Sequence, residues 1–154
     1  MPAPTTRASR LIPAAPDAVW NALMDPQILV QWLPPGDMTG QMHAFDGRVG
    51  GGFEMSLYYP EDETQAVGKT AEREDRTRVR FAAIRPGRQV VWAVLFDTED
   101  PSLKGEMMIT VSLEPAEGGT RVTLLSENLP PGLRPADNKE GSKESLKKLA
   151  GWFG

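Results

Sequence analysis

Residues 137–153 run DNKEGSKESLKKLAGWF. Leu146, Leu149, Ala150 and Phe153 recur at the i, i+3, i+4, i+7 spacing of one apolar stripe on an α-helix. Asp137 is placed to act as N-cap, and Glu140, three residues on, completes a capping-box-like pair. Lys139, Lys143 and Lys147 form a second stripe at spacing four, with Glu144 and Lys148 beside it as an i, i+4 pair. Such a helix needs a curved apolar surface to lie against. Nearly everything before it, apart from one short helical pair, reads as β-strand. One long C-terminal helix packed into a bent antiparallel sheet is therefore expected.

Working back to the N-terminus, Met1 to Pro4 reads as a frayed end. Thr5 to Ile12 suits a strand, closed by Pro13. APDAVWNALMDP then suits a short helix with Pro16 in its first turn and Val19, Trp20 and Leu23 turned inward. Asp25 and Pro26 stop it and start a second, with Ile28, Leu29 and Trp32 on one face, before Leu33-Pro34-Pro35-Gly36. From Met42 the period becomes two. MHAFDGRVGG leads to Gly50-Gly51-Gly52, and Phe53, Met55, Leu57 and Tyr59 alternate with Glu54, Ser56 and Tyr58. Pro60 to Gln65 is an acidic turn. Thr77, Val79, Phe81 and Ala83 share a face opposite Arg76, Arg78 and Arg80. Val90 to Phe96 is apolar on both faces, as a central strand would be. Met107, Ile109, Val111 and Leu113 alternate with Glu106, Met108, Thr110 and Ser112. Glu117-Gly118-Gly119 makes a hairpin turn, and Thr120, Val122 and Leu124 form the last strand. Strands joined by tight turns are antiparallel, and segregated helices and strands make the class α+β.

At 154 residues, with 40% hydrophobic and 25% charged residues, the chain has the size and composition of one globular domain spanning 1–154. There are no cysteines, which removes a disulfide framework, a thiol nucleophile and a cysteine zinc site together. A net charge of -4 argues against a general nucleic-acid binder. No run approaches the ~18 apolar residues of a membrane span, and MPAPTTRASR has no apolar signal segment. A cytoplasmic location is expected. There is no internal repeat.

The stretch APDAVWNALMDPQILVQWLPP, the RVGGGFEM turn, the long VVWAVLFDTEDPSLKGEMMITVSLEPAEGGTRVTLLSENLPPG run and the closing SLKKLA together resemble the single-domain members of the Hsp90-ATPase-activator-like branch of the START/Bet v 1 superfamily. The resemblance runs from about residue 8 to residue 153 and rests on the order and spacing of these segments. It implies a helix-grip fold: an antiparallel sheet of six or seven strands wrapped round the C-terminal helix, two short helices after the first strand, and a cavity between sheet and helix. Such family members often carry a Gly-Trp pair early in the last helix. Here the pair is Gly141-Ser142, which implies space near the helix start unless Trp152 or another aromatic fills it. The co-chaperones that activate Hsp90 have a further domain that this chain does not supply.

The single histidine, His43, lies beside no nucleophile and reads as structural or solvent-facing. With one histidine and no cysteine, no spacing suggests a metal site. Gly50 to Gly52 lacks the remainder of a phosphate-binding motif and reads as a sharp bend. No cofactor is indicated. Arg76, Arg78 and Arg80, within a run that includes Arg73, Arg85 and Arg88, would form a positive ridge able to dock an acidic protein partner or an anionic ligand. The plainer alternative is a solvated sheet face partly neutralised by Glu72, Glu74 and Asp75.

Many large adaptable side chains remain, and a sheet curled round one helix seldom fills its interior. Trp32, Met38, Phe53, Met55, Leu57, Trp92, Phe96, Met107, Ile109, Leu146, Leu149 and Phe153 are the candidate cavity lining, with His43, Tyr59 and Glu127 as candidate polar groups to orient a ligand. Three functions are compatible with these residues, in order of preference: a non-enzymatic module for a small apolar ligand, a protein-interaction factor related to Hsp90 ATPase activation, and an enzyme of the cyclase or hydrolase type found elsewhere in the superfamily. No nucleophile-base pair is visible for the last.

Overall fold

The computed structural model describes residues 4–60, 74–98 and 100–154. Most of the acidic turn expected at 60–65, together with Glu72 and Arg73, lies outside the described residues, as do Met1 to Ala3. Pro4, expected to fray, accepts the Leu129 N–H through its carbonyl at 3.3 Å. The elements are β1 (Thr6–Ile12), α1 (Pro16–Met24), α2 (Pro26–Trp32), β2 (Thr39–Asp46), β3 (Gly52–Tyr58), β4 (Glu74–Arg85), β5 (Gln89–Phe96), β6 (Met107–Ala116), β7 (Gly119–Glu127) and α3 (Pro135–Trp152). Among the described residues the seven strands form one sheet in the order β1-β7-β6-β5-β4-β3-β2. Every neighbouring pair is antiparallel. The run that is apolar on both faces is β5, the middle strand, as its composition requires.

The short helices are fixed by proline and by one cap. Pro16 and Pro26 occupy first-turn positions where a missing N–H costs nothing. The Asp25 carboxylate accepts the Gln27 N–H at 2.9 Å. Trp32 closes the pair, its indole N–H donating to the Ala22 carbonyl at 2.9 Å. At the β2–β3 turn Gly50 has φ +86°, and a methyl on Gly52 would collide with the Val79 carbonyl, so the glycine triplet is a bend dictated by close strand approach.

Two irregularities curl the sheet. The pairing register shifts between Met42 and Ala44 in β2 and between Phe81 and Ala83 in β4. A bulge adds a residue to one strand and re-aims the side chains beyond it. This corrects one expectation from alternation. Ala83 does not continue the inward face of Thr77, Val79 and Phe81; it is exposed, and Ile84 packs on the core instead.

The long helix also differs at its start. It begins at Pro135, with Arg134 as N-cap and no side-chain cap bond, so Asp137 is not the cap and no capping box forms with Glu140. Asp137 lies in the first turn, where a carboxylate faces the positive end of the helix dipole. The apolar stripe is placed as its spacing demands. Leu146 and Leu149 are buried, and Ala150 and Phe153 pack partly against them. The architecture is the helix-grip arrangement of the Bet v 1-like fold. No helix among the described residues is long and apolar enough to cross a membrane.

Candidate functional site

The face that α3 turns to the sheet changes character along its length. Asn138, Gly141, Ser142 and Ser145 follow the i, i+3, i+4, i+7 spacing and are small or polar. Leu146, Leu149 and Phe153 continue the helix with large apolar groups. The second half fills the core, and the first half leaves a cavity of about 200 Å³.

The floor of the cavity is the concave face of the sheet. Phe53, Met55 and Leu57 come from β3, Thr77 and Val79 from β4, Trp92, Val94 and Phe96 from β5, and Met107 and Ile109 from β6. Phe53 and Trp92 meet edge to face with ring centroids 5.6 Å apart. The lip is the segment after α2, where Leu33 and Pro35 line the opening. That segment is tied to α3. Ser145 Oγ donates to the Leu33 carbonyl at 2.5 Å, and Lys148 Nζ donates to the carbonyls of Pro34 at 2.5 Å and Met38 at 3.4 Å. Burial pushes the Lys148 ammonium below the ordinary lysine range, and Asp37 and Glu144 partly oppose that shift.

Of the candidate lining residues, Phe53, Met55, Leu57, Trp92, Phe96, Met107 and Ile109 line this cavity. The other five do not. Trp32 is sealed between the short helices, Leu146 and Leu149 sit beyond the cavity in solid core, Phe153 packs at the far end of α3, and Met38 lies in the segment after α2. The three polar candidates are also displaced. His43 is on the exposed β2 bulge, its Nε2 2.8 Å from Ser56 Oγ. Glu127 is exposed at the end of β7. Tyr59 is not on the wall, but its hydroxyl donates to Asp75 Oδ2 at 3.1 Å, and Asp75 is on the wall.

A family model described as activator of Hsp90 ATPase homolog 1-like protein matches residues 13–154. The chain belongs to this family. Among solved structures, protein CV1439 from Chromobacterium violaceum is 28% identical, covering 96% of this chain and 95% of its own, with a TM-score of 0.83. The AHSA1 protein SPO3351 from Silicibacter pomeroyi is 20% identical, covers 97% of each chain and has a TM-score of 0.78. A protein from Arthrobacter aurescens is 21% identical, covering 95% of this chain and 83% of its own, with a TM-score of 0.77. The last two share the fold. No curated protein matches the chain.

In this chain the Gly141-Ser142 pair lies on the cavity wall, and Trp152, 49% exposed at the end of α3, does not fill the space. Asp75 departs furthest from its expected place. Expected to neutralise the arginine ridge, it is 1% exposed, with Thr77 and Val79 on the cavity side of β4. The signal was its phase: residues 75, 77 and 79 point one way on a strand, whatever their charge. The outward face holds the three ridge arginines, each near a carboxylate from elsewhere. Arg78 meets Glu54 at 3.0 Å, Arg80 meets Glu106 at 3.3 Å and Arg76 lies 4.0 Å from Asp97. No group of three or more potential metal ligands occurs among the described residues.

Proposed function

We propose that this chain is a non-enzymatic binding module that holds a small apolar molecule between the sheet and α3. The observation that carries the reading is the cavity of about 200 Å³, walled mainly by aliphatic, aromatic and methionine side chains beneath the small-residue half of the helix. An apolar cavity of about 150 Å³ suffices for benzene, so this volume suits a molecule of one or two rings. The fold supports a ligand-binding or interaction module in general, and the wall chemistry favours the ligand.

Ser142→Trp places an indole in the cavity. Native mass spectrometry of protein purified gently from its own host should give a reproducible added mass that is lost on denaturation and absent from Ser142→Trp. The same added mass on Ser142→Trp, or a bare mass for the wild type, would count against the reading.

The second reading is a protein-interaction factor related to Hsp90 ATPase activation, favoured by family membership and by the line of arginines on the outer face of β4. The carboxylates beside those arginines weaken the ridge as an electrostatic docking surface. Failure to stimulate the ATPase of a cognate Hsp90 would remove this reading.

A further inference from the structure

We infer that the molecule held in the cavity carries a neutral oxygen acceptor, a ketone or ester carbonyl, which receives the Trp92 indole N–H; this deepens the binding reading and rests on it. Trp92 lies on the cavity floor and is 2% exposed, and its Nε1–H has no hydrogen-bond partner among the described residues. A buried donor in this state is rare, because it forfeits its bonds to water and gains none in return. Its neighbours explain why the protein supplies no acceptor. Across the strands Trp92 pairs with Phe81 on β4 and Ile109 on β6, and Phe53 meets the indole edge to face. None of these side chains carries an oxygen, so an acceptor has to come from the cavity side.

Among the described residues the other buried side-chain polar atom without a partner is Ser126 Oγ, and it belongs to the same row. Ile109 pairs with Trp92 on one side and with Ser126 on the other, so the three side chains stand on one face of the sheet. Two unpartnered groups in one row mark a polar strip in an otherwise apolar floor. The helix wall adds donors of the same neutral kind. Ser142 keeps its hydroxyl, and Asn138 keeps one N–H after donating the other to Thr6 Oγ1 at 2.6 Å. Both are half-buried and within reach of water, which Trp92 Nε1 is not. An indole N–H, a hydroxyl and an amide match a neutral lone pair and bring none of the positive charge that a buried anion needs. Nε1 is covered, so an incoming oxygen reaches it as Met107, diagonal to Trp92 across β5 and β6, gives way; methionine is the side chain suited to that.

The test titrates two probes of one carbon skeleton, propylbenzene and propiophenone, into the intact protein, and NMR follows the tryptophan indole N–H signals. Saturation with propiophenone should move the Trp92 indole proton downfield, as a new hydrogen bond does, whereas propylbenzene should not produce that shift. The Trp32 indole, already donating to the Ala22 carbonyl, should stay in place with either probe. In Trp92→Phe the ratio of propiophenone to propylbenzene affinity should fall about tenfold, the loss expected when a buried carbonyl is deprived of its donor. Propylbenzene binding also reports that the variant is folded. Propiophenone that saturates the protein without the downfield shift, or an affinity ratio unchanged in Trp92→Phe, overturns the inference, and propylbenzene binding then leaves the binding reading standing. No binding of either probe overturns both. Should Trp92→Phe not fold, the indole shift on the wild type decides alone.

Discussion

Lys148 and Ser145 each fasten the cavity lip to α3, and Lys148 does so from a partly buried position. Its proton equilibrium therefore reports on the lip. With desolvation as the larger cause, the folded pKa lies below the ordinary value of 10.5. Between the two values the folded chain binds fewer protons than the unfolded chain, so the penalty of the buried charge is present at lower pH and relieved as pH rises. The wild type should gain stability relative to Lys148→Met as pH climbs towards 10.5, measured by urea unfolding across the alkaline range. A stability difference that stays flat would show that the ammonium is fully solvated. At single-residue scale the sequence is legible where geometry is local, as with the Asp25 cap. It misleads at Asp75, where charge suggests exposure although strand phase places the side chain inside.

At the scale of elements, α3 carries two functions on one face. Its C-terminal half is a core stripe, and Leu149→Ala should cost roughly 2–5 kcal/mol in denaturant unfolding. A cost below about 0.5 kcal/mol, typical of surface positions, would put the stripe on the wrong side. Its N-terminal half lines the cavity, and the signal for that lies in the small residues at 138, 141, 142 and 145. They are inconspicuous because small polar residues are common in any exposed helix turn. The helix cap falls three residues before its expected place, at Arg134 rather than Asp137, because Asp137 and Glu140 mimic a capping box, while Pro135 in fact occupies the first turn. In β4 the alternation is legible as far as Phe81. The bulge after it leaves no mark in the residue types, because it answers to sheet curvature rather than to local preference.

For the whole molecule, each strand from β2 to β7 pairs antiparallel with its neighbour in sequence, and the pairing of β1 with β7 places β1 at one edge. The cavity could not be located so directly. It arises from the distance between a curved sheet and a helix, and that distance is a property of the assembled fold. This is why Trp32, Leu146 and Leu149 group with Met55 and Trp92 by residue type although they belong to solid core. The central claim is that a small molecule enters between sheet and α3. Methionine-methyl NMR tests it most directly, because Met55 and Met107 line the cavity whereas Met24 and Met42 pack elsewhere against the core. On titration with propylbenzene the account predicts saturable shifts of the Met55 and Met107 methyls, little change at Met24 and Met42, and loss of the response in Ser142→Trp. No response at Met55 and Met107, or an equal response in Ser142→Trp, would contradict it.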